Sequence, residues 1–271
     1  MNIVVVGGTG LIGAKVVERL HRAGHQVTAA ARSTGVNSYT GEGLAAALEG
    51  VEVVIDVSNS SYTDQEGALE FFYTSTLNLL TFGRAAGVTH HVALSVVGTD
   101  RLAQTERGYF FAKDAQETLI RRSSVPYSLV HTTQFFEFVR SIADAATDGD
   151  RVRIAQTSVQ PIAGDDVAAA VADTALGEPT NSIVEFAGPE VFTLHELVQR
   201  ELLSRRDPRE IDADPLARYF GHTLSRTELL PGPDAFHYTT RFEQWLRSNR
   251  VGAASPDTKG AVKPLSTMPA S

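Results

Sequence analysis

The feature that most constrains the fold is residues 3–13, where a run of β-branched residues ends in spaced glycines. Residues 3–6 are all apolar, which is typical of a strand that is buried on both faces. Behind the glycines, apolar residues recur at helical spacing from Leu11 to Leu20. A strand, a glycine turn and a helix together form the context in which a glycine motif predicts phosphate binding.

The glycines of this motif have separate predicted roles. Gly7 makes a tight turn, Gly10 lets the backbone approach a pyrophosphate, and Gly13 lets the helix pack closely on the strand. The pyrophosphate would bind the unpaired N–H groups at the positive end of the helix dipole. The predicted cofactor contacts in the motif are Gly7, Thr9, Gly10, Leu11, Ile12 and Gly13.

The end of the second predicted strand, residues 26–31, indicates which dinucleotide binds. In NAD-binding proteins of this kind an acidic residue about 20 positions past the glycines holds the ribose hydroxyls. Arg32 and Ser33 lie there instead, and no acidic residue occurs before Glu42. Because an arginine pairs with a 2′-phosphate and a carboxylate repels one, we expect NADPH, bound in part by Arg32 and Ser33. The alternative is that Arg32 is only a solvated surface residue.

Composition excludes several classes of function. The chain of 271 residues has a net charge of −8 and no basic stripe, so nucleic acid is not an expected partner. The absence of cysteine excludes disulfides and thiolate metal sites, and His90 and His91 lack further ligands at metal spacing. No apolar run approaches the roughly 20 residues that a membrane span requires. With the first strand starting at residue 3, we expect a cytoplasmic protein without a membrane partner.

Strands and helices alternate up to about residue 150, which predicts a doubly wound parallel α/β sheet. The expected organisation is a dinucleotide-binding core over residues 1–150, an interleaved lobe over 151–250 and a disordered tail over 251–271. Further expectations are a short strand near 37–39, a helix over 42–49 and another over 134–146. Asp165 or Asp166 is expected to cap the helix that follows it, and Thr193 to cap the next.

Polar residues that follow the predicted strands define a candidate catalytic site. Ser58 and Asn59 come directly after a buried strand, where they would lie beside the cofactor. Tyr109 and Lys113 are four apart on a predicted helix, so the ammonium would lie near the phenol and lower its pKa. Ser95, at the end of another strand, would hold a substrate carbonyl while Tyr109 protonates it.

Two alternatives for the proton remain open. The first alternative is that Tyr109 is a buried or lid residue and not the proton donor, because it begins a very apolar stretch, Tyr109-Phe110-Phe111. His131, at a strand end, is a second candidate donor, although a buried structural histidine is the simpler interpretation. Aromatic residues are plentiful around the expected cleft, which favours an apolar pocket for a flat hydrophobic substrate.

Taken together, these motifs resemble the atypical short-chain dehydrogenase/reductases of the NmrA-like NAD(P)H-binding family. The resemblance covers roughly residues 1–200. It implies a Rossmann-like core with a small C-terminal substrate lobe, NADPH as cofactor, Lys113 on the nicotinamide ribose, and Gln134 and Phe135 near the nicotinamide. The matching stretches are Gly7-Gly-Thr-Gly-Leu-Ile-Gly13, Leu94-Ser-Val-Val-Gly98, Tyr109-x-x-x-Lys113, Pro126-Tyr, Thr132-Thr-Gln-Phe-Phe-Glu-Phe138 and Pro161-Ile-Ala-Gly-Asp-Asp-Val167.

The leading hypothesis is an NADPH-dependent reductase of a ketone or quinone on a hydrophobic, aromatic small molecule, such as a tailoring ketoreductase of specialised metabolism. Since the family also includes redox sensors, an NADP(H)-binding regulator without catalysis is the alternative. An epimerase that uses the cofactor transiently is a third possibility. The sequence does not indicate the oligomeric state.

Overall fold

The computed structural model describes residues 1–60, 62, 64–105 and 107–252. Within these residues the chain forms the strands β1 (Asn2–Val6), β2 (Gln26–Ala30), β3 (Val53–Asp56), β4 (His90–Val96), β5 (Tyr127–Thr132), β6 (Thr147–Asp148), β7 (Arg151–Ile154), β8 (Ser158–Val159), β9 (Ile183–Ala187), β10 (Phe192–Thr193), β11 (Glu210–Ala213) and β12 (Phe236–His237). The α-helices are α1 (Leu11–Arg22), α2 (Leu44–Ala47), α3 (Gln65–Ala86), α4 (Thr99–Leu102), α5 (Tyr109–Arg122), α6 (Val139–Ala145), α7 (Gly164–Leu176), α8 (Leu194–Arg205) and α9 (Phe242–Gly252).

A parallel seven-stranded sheet forms the centre of the molecule, in the order β12-β9-β5-β4-β3-β1-β2. After β2 the chain returns to the other side of β1, so the topological switch point lies between β1 and β3. Helices α1 and α7 pack together on one face, and α3 and α5 pack together on the other. The predicted doubly wound α/β fold is confirmed, and ligands in such sheets bind beyond the carboxyl ends of the strands at the switch point.

Alternation along the central strands builds a core on each face of the sheet. Ile3 and Val5 belong to the apolar cluster on the side of α1 and α7. Val4 and Val6, one residue out of phase, belong to the cluster that includes residues of α2 and α3. Since successive side chains of a strand point to opposite faces, an unbroken β-branched run is what a sheet covered on both sides requires.

Residues after 150 contribute both to this layer and to a separate lobe. α7 packs on α1 and β9 joins the central sheet. The lobe contains a three-stranded sheet, β11-β7-β6, and the pair β10-β8. Its apolar cluster combines residues from before residue 150, such as Phe136, with later ones such as Phe242. The predicted disordered tail lies, from residue 253 onward, outside the described residues.

Three local predictions differ from the structure. Residues 37–39 form a turn because the Asn37 side chain accepts the N–H of Tyr39 at 3.0 Å and the Asn37 N–H donates to the Glu42 carbonyl at 2.9 Å. The helix expected over 42–49 is only the single turn of α2. The helix expected over 134–146 begins later, as a 3-10 turn at Phe136–Phe138 that continues into α6.

Of the two predicted helix caps, that of α7 is wrong and that of α8 is confirmed. Neither Asp165 nor Asp166 caps α7; the Glu137 carboxylate accepts the Gly164 N–H, at 3.0 and 3.2 Å from its two oxygens. Asp165 instead pairs with Lys15 at 2.6 Å. Thr193 caps α8 as predicted, with Glu196 completing a capping box.

None of the helices in the described part of the chain is long and apolar enough to cross a membrane.

Candidate functional site

The glycine turn has the tight geometry that its sequence predicts. Gly7 adopts a φ of +79°, and a Cβ atom added to Gly13 would lie 2.1 Å from the Gly7 carbonyl oxygen. A Cβ atom on Gly8 would lie 2.7 Å from the Val5 carbonyl oxygen, a constraint that the sequence did not reveal. Gly10 is the N-cap of α1 and provides no side-chain cap. The first N–H groups of α1 therefore remain available to an anion such as a pyrophosphate.

A cavity of about 910 Å³, the nucleotide cavity, lies at the carboxyl ends of β1, β2 and β3. Arg32 and Ser33 enter it from the 3-10 turn that follows β2. The other predicted cofactor residues in its lining are Gly7, Thr9, Gly10, Ser58 and Asn59. Because it joins an uncapped helix terminus to an arginine, the nucleotide cavity fits the phosphate groups of a dinucleotide.

A second cavity of about 300 Å³, the inner cavity, continues the cleft past residues 57–59, which line both spaces. The predicted residues in its lining are Leu11, Ile12, Ser58, Asn59, Ser95, Tyr109, Lys113 and Phe135. Gln134 lies next to it, among the aromatic residues of a smaller apolar cavity. Gly13 is buried beneath the glycine turn and acts through packing.

The Tyr109 phenol is buried and donates a hydrogen bond to Asn59 Oδ1 at 2.7 Å. Burial, together with the neighbouring Tyr62, raises the pKa of the phenol well above its ordinary value. The predicted lowering of this pKa by Lys113 is therefore wrong.

Lys113 is held by groups other than the phenol. Its Nζ donates to the Leu94 carbonyl at 2.8 Å and to Gln116 Oε1, and it lies 4.6 Å from the centre of the Phe72 ring. Burial lowers the pKa of Lys113 to about 8, although the charges of Asp56 and Glu117 oppose the shift. Spacing on a helix placed Tyr109 and Lys113 on one face, and both line the inner cavity, but each polar group is hydrogen-bonded to partners other than the other.

Ser95 is not free to hold a substrate carbonyl as predicted, because its hydroxyl donates to Glu117 Oε1 at 2.5 Å. His131 Nε2 lies 2.9 Å from the same oxygen, and Arg121 donates to Glu117 Oε2 at 3.0 Å. Burial raises the pKa of Glu117, but hydrogen bonds from His131 and Ser95 and the charge of Lys113 outweigh this and lower it overall. Ser95 and His131 are thus anchored to a buried carboxylate.

Sequence reasoning missed Asp56, Gln116 and Glu117, which with Lys113 form a buried polar network. Asp56 Oδ1 accepts the backbone N–H and the hydroxyl of Ser58, at 3.0 and 2.6 Å. Asp56 Oδ2 accepts Gln116 Nε2 at 2.9 Å, and Gln116 in turn accepts from Lys113. The network therefore links the loop at Ser58 to Lys113. Two signals were available in the sequence. Asp56 is a charged residue at the end of an otherwise apolar strand, and Gln116 and Glu117 are polar residues one turn past Lys113.

The fold and this cleft define a Rossmann-like dinucleotide-binding protein. The chain belongs to the NAD(P)H-binding family, whose sequence profile matches residues 7–178. The family resemblance inferred from the motifs is thereby confirmed.

Known proteins of similar sequence and structure include reductases. Divinyl chlorophyllide a 8-vinyl-reductase of Cucumis sativus is 28% identical over 237 residues, 75% of this chain and 56% of that protein. The chain thus spans little more than half the length of this relative. MoeE5 in complex with UDP-glucose and NAD superimposes with a TM-score of 0.69 at 17% identity, covering 94% of this chain and 100% of that one. An NADPH-dependent quinone oxidoreductase from Escherichia coli complexed with NADPH gives 0.58 at 21% identity, covering 79% and 78%. These structural likenesses establish the Rossmann-like fold.

Proposed function

We propose that the protein is an NADPH-dependent reductase of a ketone or quinone carbonyl on a hydrophobic, aromatic small molecule. The observation that carries the proposal is the continuity of the cleft. The nucleotide cavity, which Arg32 borders, leads at residues 57–59 into the inner cavity, where Tyr109 and Lys113 lie beside aromatic rings. A reductase needs this sequence of a dinucleotide site, a proton donor and an apolar pocket.

Selectivity for NADPH is supported by the charges in the nucleotide cavity. Arg32 and Ser33 lie at the end of β2, where an NAD-binding protein presents a carboxylate. Glu70 also borders this cavity, but it accepts a hydrogen bond from the Tyr39 hydroxyl. Arg32 is therefore the residue that we assign to the 2′-phosphate.

In the proposed reaction, Arg32 and the glycine turn at the start of α1 would hold NADPH, which would supply the hydride that the carbonyl carbon accepts. Tyr109 would donate its phenolic proton to the carbonyl oxygen as a ketone becomes an alcohol or a quinone becomes a hydroquinone, and the phenolate would then regain a proton from water. Its raised pKa keeps the phenol protonated at neutral pH, and an alkoxide is a stronger base than a phenolate, so the transfer is favourable. Lys113 supplies a positive charge at the wall of the inner cavity, which stabilises the negative charge that develops on oxygen.

The test is NADPH oxidation, followed by absorbance, against quinones and polycyclic aromatic ketones, with the wild type beside Tyr109→Phe. We expect turnover by the wild type and a loss of roughly 10²- to 10⁴-fold in kcat for the variant, with NADPH affinity retained. Turnover that survives the substitution would keep the reductase and remove Tyr109 as the acid. Tight NADPH binding without turnover of any compound would contradict the proposal.

A sensor that binds NADP(H) without catalysis is the second candidate. It is favoured by one observation: the hydroxyl groups of Tyr109 and Ser95 are both hydrogen-bonded within the protein, to Asn59 and Glu117. A sensor would bind NADPH and NADP⁺ with different affinities and would not oxidise NADPH with any substrate. Paired titrations of the two forms, combined with the turnover assay, separate the two functions.

A further inference from the structure

Three aromatic side chains, Tyr109, Phe138 and Phe220, form an aromatic cage around the ring of Tyr62. The ring centre of Tyr62 lies 4.3 Å from that of Tyr109, 4.7 Å from Phe138 and 5.2 Å from Phe220. Such spacings are those of stacked and tilted aromatic pairs. Tyr62 lines both the inner cavity and an outer cavity of about 380 Å³, and Phe220 lines the outer cavity.

Phe220 adopts an unfavourable backbone conformation in the aromatic cage. Its φ is +47°, and that of Gly221 is +89°. Tyr219 and His222 exchange two backbone hydrogen bonds of 2.8 and 3.0 Å, which makes Phe220 and Gly221 the central residues of a tight turn. Turns with two positive φ values favour Asn-Gly, and a bulky residue at the first position is strained. Strain of this kind persists at ligand-binding sites, where the side chain is needed in that place.

The surroundings of this turn fix it firmly. His222 is buried and packs edge-on against Phe110 at 5.1 Å. Arg218 donates to the Gly221 carbonyl at 2.7 Å. The ring of Phe220 in turn stacks on Phe138, with centres 5.5 Å apart and planes 27° apart. The strained turn thus presents one flat aromatic face to the outer cavity and to the smaller apolar cavity that Gln134 also lines.

We propose that the aromatic cage is the stacking site for a planar ring of the substrate, which takes the place that the Tyr62 ring fills in this structure. Phe220 is then a specificity residue for fused polycyclic aromatic compounds, since the outer cavity accepts rings beyond the first. The inference rests on the proposed function, because a ring in the aromatic cage would place an attached carbonyl group in the inner cavity with Tyr109.

The experiment measures binding of anthraquinone-2-sulfonate, a planar tricyclic quinone, to the full chain loaded with NADP⁺, by fluorescence quenching or calorimetry. Phe220→Asn removes the ring and places a favoured residue in the turn. We expect it to weaken binding about tenfold while the Tm stays equal or rises. Tyr62→Ala removes the competing ring, so binding should tighten by about tenfold. Tyr73→Ala, at a side chain exposed on α3, is the matched control and should change neither value.

Unchanged affinity in Phe220→Asn would overturn the inference, as would weaker binding in Tyr62→Ala or a wild type that does not bind the probe. If Phe220→Asn fails to fold, Phe220→Gly makes the same test, since glycine also relieves the strain. Failure of the proposed function is distinguished by turnover. The predicted binding pattern without NADPH oxidation would retain the aromatic cage and refute the reductase.

Discussion

The two ends of the cleft are built from different parts of the chain. The nucleotide cavity is bordered by the glycine turn and by the residues that follow β2, all within the first 40 residues, together with parts of the β3–α3 connection and α3. The inner cavity depends on β3, β4 and α5, whose polar side chains meet across separations of 60 residues, as between Asp56 and Gln116. One end is therefore determined largely by backbone geometry, and the other by side chains that only tertiary folding brings together.

This difference predicts how each end fails. Steric changes at the glycines should destroy the nucleotide cavity without a role for pH. Changes in the polar network should instead alter pKa values and catalysis while the nucleotide cavity persists. Three of the four predictions below test this contrast, and the one on His91 concerns a buried histidine that lines neither cavity.

The largest effect is expected for Gly13→Val. A Cβ atom at this position would lie 2.1 Å from the Gly7 carbonyl oxygen, so α1 and the turn must separate. We expect NADPH binding to be lost, as measured by fluorescence titration. The control is Gly24→Ala, where a Cβ atom meets nothing within 4 Å but φ is +85°. It should cost about 1 kcal/mol of stability and leave NADPH affinity unchanged. Equal NADPH binding by both variants would contradict the steric account.

A smaller effect, roughly 3 kcal/mol, is expected from His91 as the pH falls. Burial lowers the pKa of His91 to about 4. In the unfolded chain it is near 6.5, so the unfolded state binds the additional proton. The contribution of His91 to the free energy of unfolding is therefore fully present above pH 6.5 and is lost progressively as the pH falls to about 4. Urea unfolding across this range measures it.

The matched variants for this prediction are His91→Gln and His21→Gln. Replacement of the buried His91 should make the acid dependence shallower, whereas His21, exposed on α1, should leave it as in the wild type. Identical pH slopes for all three proteins would show that His91 does not carry the effect.

Arg32→Glu should change cofactor choice by about tenfold to hundredfold. The carboxylate repels the 2′-phosphate of NADPH and can accept the ribose hydroxyls of NADH. We expect the ratio of the Kd values for NADPH and NADH to rise by that factor. Arg122→Glu, exposed at the end of α5, makes the same charge change outside the nucleotide cavity. If both variants shift the ratio equally, Arg32 has no specific contact with the phosphate.

The smallest effect, about tenfold in kcat, is expected for Gln116→Ala. This side chain is buried between Asp56 and Lys113 and accepts a hydrogen bond from the ammonium. Activity of the wild type should fall as the pH rises through about 8, where Lys113 loses its charge. Without Gln116 the pKa of Lys113 falls further, so the fall in activity should occur at a lower pH than in the wild type. Gln104→Ala, at an exposed position, should keep the wild-type profile. If activity falls at the same pH in Gln116→Ala as in the wild type, Gln116 does not control the pKa of Lys113.

What the sequence predicts best is local. The strand before Gly7 and the capping box at Thr193 depend on residues a few positions apart, and both were predicted correctly. The cap of α7 was not predicted correctly, because the Glu137 carboxylate accepts a hydrogen bond from the N–H group of Gly164, which lies 27 residues away in the sequence. Helical spacing predicted that Tyr109 and Lys113 share a face. It did not predict that Asn59 accepts a hydrogen bond from the Tyr109 hydroxyl, because tertiary packing brings these two residues together. It also did not predict that Gln116 accepts one from the Lys113 ammonium, because this contact depends on the side-chain rotamers.

The most direct test of the account is transfer of deuterium from NADPH labelled at the transferable nicotinamide position to a polycyclic aromatic ketone, read by mass spectrometry of the alcohol. Hydride transfer with Tyr109 as the acid predicts one deuterium on the carbinol carbon of the product with the wild type, and much slower formation of the same product with Tyr109→Phe. An alcohol without deuterium, or the absence of both an alcohol from every ketone and a hydroquinone from every quinone tested while NADPH still binds, would contradict a hydride-transferring reductase.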